Sequence, residues 1–169
     1  MTKDFQWDWL VKIVHWSVAL LFISNYALNE PGDDPHILIG YTIIGLVALR
    51  LVWGVITSSP ARLTAIKPSP KAAIEHLKEV LATKKDDHVG HNPAGSVMVW
   101  CMWLGLLATG ISGWMMETDT FWGEGWVEEL HELAANATFL CVCIHIAAVV
   151  LMSRLTGNRY IQAITFLKK

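Results

Sequence analysis

Residues 130–146 read LHELAANATFLCVCIHI, and this stretch decides the fold. His131 and His145 stand 14 residues apart, inside a run that carries no charge from 133 to 153. Wound as an α-helix, such a separation rises ~21 Å and turns ~1400°, within ~40° of a whole number of turns. Both imidazoles then point to nearly the same side. One lies near an edge of a ~30 Å hydrocarbon layer, the other towards the opposite edge. Polar groups in that layer are costly, so a histidine inside a span is a functional candidate by default.

Working outward, three more segments have spanning length and composition. Residues 9–28 form the first, with Lys12 near its start and no charge from 13 to 29. It is too long for a signal-peptide core and no small-residue cleavage site follows, so it is expected to be part of the mature structure. The run NEPGDDP at 29–35 is a turn, broken by two prolines and a glycine. His36 opens the second span, 36–56, whose single charge, Arg50, near its end, is expected to snorkel. The third span, 93–116, carries no charge and is rich in small residues: Gly105, Thr109, Gly110, Ser112 and Gly113. Small residues let helices, or a flat cofactor, approach closely. The fourth span covers 131–153, and residues 1–169 form one membrane domain. The fold class is all-α: an integral membrane four-helix bundle.

Composition agrees. Over 169 residues the chain is 53% hydrophobic and 17% charged, with mean hydropathy +0.39. That is a membrane composition, with no basic surplus to bind nucleic acid. Cys101, Cys141 and Cys143 all fall in apolar segments and read as small buried hydrophobes. The long connection, 57–92, is polar. Within it Ser69-Pro70 starts a short helix, serine as cap and proline in the first turn. Ile74, Leu77, Val80 and Leu81 make an apolar stripe at helical spacing, as in an amphipathic helix lying on a membrane surface. His76 and His88 in this loop read as solvated residues.

Charge fixes the expected topology. All thirteen Lys and Arg fall on one side: Lys3, Lys12, Arg50, six in the 57–92 loop, Arg154, Arg159, Lys168 and Lys169. The positive-inside rule puts both termini and this loop in the cytoplasm. The outer loops hold nine of the fifteen acids: Glu30, Asp33, Asp34, Glu117, Asp119, Glu124, Glu128, Glu129 and Glu132. Trp7, Trp9 and Trp53 mark the inner interface, and Trp114, Trp122 and Trp126 the outer, as in an aromatic belt. Depth then sorts the histidines into two pairs on different helices, His36 with His131 outside and His15 with His145 inside. Each histidine alone has a bland reading, as a packed or interfacial residue. Two imidazoles across a gap, beside a helix of small residues, suit a haem plane with both axial positions filled. Such a haem passes single electrons and does not readily take oxygen. Zinc fits the pairs less well, because two ligands per depth are too few.

On these residues the chain resembles the bacterial cytochrome b561 family. That family includes the b-type subunits of nickel-iron hydrogenases and membrane formate dehydrogenases. The resemblance covers nearly the whole chain. It rests on Val14-His15-Trp16, on His36 through Gly40, on Arg50, and on His131-Glu132 with His145. It implies two b haems, one near each membrane face. His36 and His131 match the ligands of the outer haem iron, His15 and His145 those of the inner. It also implies exchange with ubiquinone or menaquinone. In the formate dehydrogenase b subunits an asparagine and a glycine just before the third span help bind quinone. Here Asn92 matches and Gly95 is displaced by one residue. Asn92 also reads as a plain helix cap ahead of Pro93. His91, beside it, has the ordinary imidazole pKa needed to exchange protons with a quinone.

The expected function is therefore electron transfer across the bacterial cytoplasmic membrane, through two bis-histidine haems. It would link the quinone pool to a periplasmic redox protein, a c-type cytochrome or an enzyme subunit drawn to the outer acids. One rival is an enzyme that oxidises superoxide and reduces quinone, although the outer loops offer no Lys or Arg to gather an anion. The other is a non-redox membrane anchor with packed histidines; no inverted repeat or broken helix points to transport.

Overall fold

The computed structural model describes residues 5–166. In chain order the helices are α1 (Trp9–Ala27), α2 (Asp34–Ile56), α3 (Pro70–Thr83), α4 (Pro93–Met116), α5 (Gly125–Thr156) and α6 (Tyr160–Ile164), with a 3-10 turn at Leu63–Ala65. No strand occurs among the described residues. Four of these helices, α1, α2, α4 and α5, are long and apolar enough to cross a membrane. The positions Lys3, Lys168 and Lys169, used above for topology, lie outside the described residues.

The helices start where local chemistry tells them to. Asp8 caps α1 by accepting from the Val11 N–H at 2.9 Å. Ser69 caps α3 through the Ala72 N–H, and Asn92 caps α4 through the Gly95 N–H at 2.7 Å. Each of these caps supplies one of the acceptors that a helix N-terminus lacks. Pro70 and Pro93 then take first-turn positions that need no amide donor. α5 stops at Gly157, in the left-handed region at φ 70°.

The fourth span departs from expectation at its start. α5 begins at Gly125, not at 131, and runs for 32 residues, ~48 Å. The apolar run marks only the part of a helix that lipid can cover. Glu128 and Glu129 are exposed and do not interrupt helical hydrogen bonding, while Val127 is fully buried. Glu128 is the acid of the first turn. α2 likewise starts two residues before His36, and α1 ends one residue before 28.

α4 packs on α5 and α2, α1 on α2, and α3 along α4. A layer built on Phe22, Ile43 and Val47, with Trp103, Leu106 and Phe139 against it, fills the middle of the bundle. Outside, the pattern of a soluble protein is inverted. Leu20, Val52, Leu104 and Leu140 are each more than half exposed. A contiguous apolar exterior of this kind is what a lipid solvent requires. Polar side chains inside are tied to backbone. The Thr138 hydroxyl donates to the Ala134 carbonyl and the Thr109 hydroxyl to the Gly105 carbonyl.

The two chain ends meet. The Trp7 N–H donates to the Ala163 carbonyl at 3.1 Å, and the Trp16 indole N–H to the Ile164 carbonyl at 3.1 Å. We call this the terminal end of the bundle. The turns at 28–33 and 117–124 make the far end.

α3 divides its apolar stripe. Val80 is buried with Ala73 and His76, whereas Ile74, Leu77 and Leu81 are exposed. One side of α3 thus packs on protein while its larger apolar residues point away, a geometry that suits a helix resting on a membrane surface.

Candidate functional site

The structure joins the histidines in the two pairs that depth suggests. At the far end the His36 and His131 rings have centres 6.0 Å apart. At the terminal end the His15 and His145 ring centres are 6.4 Å apart. A metal held about 2 Å from each of two facing ring nitrogens puts the ring centres about 6 Å apart. Both pairs have that spacing. The Nδ1 atoms of His15 and His36 are buried with no hydrogen-bond partner, which leaves polar capacity unfilled on both rings.

The far-end pair faces a cavity between α1, α2, α4 and α5. Counted with its open mouth it encloses about 890 Å³. Gly40, Gly110 and Gly113 line it. A Cβ on Gly113 would come within 3.1 Å of the His131 ring, so the glycine lets that imidazole lie flat against α4. The His131 Nδ1–H donates to the Thr109 carbonyl at 2.9 Å, and the Ser112 hydroxyl lies at 3.2 Å. A carbonyl only accepts, so the proton sits on Nδ1 and Nε2 is left bare. This is the usual way a protein orients a metal-ligating histidine. Across the gap, the Asn25 amide donates to the His36 backbone carbonyl at 3.1 Å and ties α1 to the start of α2.

The terminal-end pair is surrounded differently. Arg50 does not snorkel. Its side chain is buried, Nη2 donates to the Ala61 carbonyl at 2.8 Å, and the guanidinium lies 5.3 Å from the Trp103 ring centre. Nη1 is buried with no partner. The loop after α2 folds back over the helix end and gives Arg50 an interior acceptor, so it has no need to reach for water. His91 packs on Trp7, ring centres 4.6 Å apart, and its Nδ1 is buried and unpartnered. Burial, helped by the Arg50 charge and by His145 and His15, holds its pKa down to about 4. The ring is therefore neutral at neutral pH, a hydrogen-bonding group before it is a proton carrier.

Asn92 is committed at both ends of its amide. Its oxygen caps the Gly95 N–H, and its nitrogen donates to Asp86 Oδ2 at 2.7 Å. A Cβ on Gly95 would meet the Asn92 oxygen at 3.2 Å and the His91 ring at 3.7 Å. His91, Asn92 and Gly95 thus form one small cluster beside the terminal-end pair. The capping reading of Asn92 is realised.

A family model described as prokaryotic cytochrome b561 matches residues 6–166. The chain belongs to this family. Membership brings transmembrane electron transfer by b-type haem, and a multi-pass bacterial membrane protein. No match was found among curated proteins or among solved structures. Among the residues of this cytochrome, sequence reasoning missed the interior role of Arg50 and the burial of His76. An interior acceptor supplied by a folded-back loop leaves no periodic signal.

Proposed function

We propose that this b561 cytochrome carries electrons across the bacterial cytoplasmic membrane through two bis-histidine b haems. It would run between a quinone at the terminal end and a periplasmic redox protein at the far end. The observation that carries the reading is the pairing itself: two facing imidazole pairs with ring centres 6.0 and 6.4 Å apart, one near each end of the bundle. His15 and His145 would hold one iron, His36 and His131 the other. When bound, each haem supplies a one-electron couple with no open coordination position.

The protein's own part is to hold and tune. Thr109 and Ser112 set the His131 ring. Arg50 Nη1, buried and unpartnered, with its charge felt at His91, suits an anionic group such as a haem propionate. His91, neutral and facing inward, would offer the quinone a hydrogen bond, with Asn92 and Gly95 fixing the backbone around it. Both termini and the 57–92 loop would lie in the cytoplasm, by the distribution of Lys and Arg. The nine acids assigned to the far end are all exposed. They favour a basic partner, and no Lys or Arg stands among them to collect superoxide.

The first test is the haem-to-protein ratio of the detergent-purified chain, with reduced-minus-oxidised spectra. Two low-spin b haems are expected, falling to one in His36→Ala and to one in His15→Ala. A folded chain with a single haem would leave one pair without its role. The docking face is tested by reduction of a basic c-type cytochrome: its rate should fall as salt rises. A salt-independent rate would remove the acidic face from docking. The quinone contact is tested by titrating a quinone analogue against His91→Ala; unchanged inhibition would take His91 out of that site.

A further inference from the structure

Away from both haem sites, α3 and the segment that follows it bring together three groups with metal-ligand chemistry. His76 lies on the protein-facing side of α3, and Asp86 and His88 lie on the segment leading to α4. One ligand atom from each of His76, Asp86 and His88 lies within 4.8 Å of the other two. The two imidazole rings are 4.8 Å apart and nearly perpendicular. An open cleft joins these groups to Glu79, one turn along α3 from His76.

Two features go beyond a chance cluster. His76 is 95% buried, yet its Nε2 has no hydrogen-bond partner and lies 3.7 Å from Asp86 Oδ2. A buried nitrogen left bare beside a carboxylate is a cost that a cation between them would remove. Asp86 is also fixed in place: its nearly fully buried carboxylate accepts from the Tyr160 hydroxyl, the Asn92 amide and the His88 backbone N–H.

We propose that His76, Asp86 and His88, with Glu79 able to complete the set, form a binding site for a borderline divalent metal of the zinc class. Two imidazoles and carboxylate oxygens suit zinc, cobalt or nickel, and do not suit magnesium, which prefers oxygen alone. The rearrangement is small. His88 Nδ1 now lies 2.9 Å from Asp86 Oδ1. The ring proton moves to Nε2, Nδ1 takes the metal, and the Oδ1 lone pair that faced the proton faces the metal instead. No net proton is released by a neutral ring. Lys85, also on the cleft, opposes a cation, while Asp87 and Glu79 offset it.

The site would act as a clamp. Asp86 Oδ2 also accepts from Asn92, the cap of α4, and from the Tyr160 hydroxyl of α6 at 2.5 Å. A metal here would fasten α3 to a junction that already ties the start of α4 to the C-terminal helix.

The test uses the haem-loaded, tag-free full chain, so that the four axial histidines are occupied. It is dialysed against micromolar Zn²⁺ and the zinc bound per haem is counted. One site per chain is expected, weakened by at least about tenfold in His88→Ala and in His76→Gln, and not displaced by Mg²⁺. His88 is half exposed, so its removal leaves the fold and the haem spectrum intact and keeps the result readable even if His76→Gln is unstable. The melting temperature of the wild type should also rise with Zn²⁺, and that of His88→Ala should not. Absence of stoichiometric zinc, or zinc that both variants retain, would overturn the proposal.

Discussion

The two ends of the bundle hold the same kind of histidine pair in opposite settings. At the far end, His36 and His131 face an open cavity, and the fixed element is the hydrogen bond that His131 donates to the Thr109 carbonyl, with the Ser112 hydroxyl beside it. At the terminal end, His15 and His145 lie where the segment around Trp7 and Trp16 is tied to the end of α6. The added chemistry there is a buried cation, Arg50, and a third histidine, His91. The difference teaches that the pairing is shared while the surroundings are local. One pair is oriented through a hydrogen bond made by one of its own rings, and the other has a buried charge at its end of the bundle.

The sharpest way to break the comparison is to remove one ligand at a time. His131→Ala should abolish the far-end haem and leave the other spectrum intact; His145→Ala should do the reverse. Loss of both haems in either variant would mean that the sites are not independent. Next is Arg50→Gln, which removes the charge from the terminal end only. Without a cation nearby the oxidised, more positive haem is favoured. The terminal-end midpoint potential should therefore fall, by roughly 60 mV for a tenfold change in a one-electron equilibrium. A redox titration reads this, and the far-end potential should stay where it is. A smaller effect of the same logic, now at the far end, comes from Gly113→Ala. Its Cβ would press on the His131 ring, so far-end haem affinity should drop several-fold at a cost of about 1 kcal/mol. Haem-transfer kinetics to a scavenging apoprotein would measure it. The least effect is Asn92→Ala, expected to lower stability by about 1 kcal/mol through loss of the α4 cap. Thermal melts of the haem-loaded chain should register it with both haem spectra unchanged.

Much of this was legible in the sequence because it follows from period and depth. The 14-residue step from His131 to His145 places two imidazoles on one side of a helix, and the charge-free runs assign depth to His15 and His36. Helix starts at Ser69 and Asn92 were legible because a cap is a local, two-bond device. What escaped depends on how the loops close over the bundle. Arg50 reads as a snorkelling side chain until the Ala61 carbonyl is brought to it from eleven residues away. His76 reads as a surface residue of a polar helix until α3 turns that side to α4. The early start of α5 was hidden by Glu128 and Glu129, since polarity ends a membrane span without ending a helix.

That early start carries a consequence for traffic at the far end. A helix of ~48 Å exceeds a ~30 Å hydrocarbon layer by about a third of its length. The surplus stands proud of the layer as a rigid post, with Trp126, Glu128 and Glu129 on its exposed first turns. His131 follows only six residues after the helix begins, ~9 Å along the axis. A protein that grips the post would thus be held by the same rod that carries His131. The docking handle and one imidazole of the far-end pair belong to a single stiff piece, so where a visitor lands sets its distance from that imidazole without any hinge between.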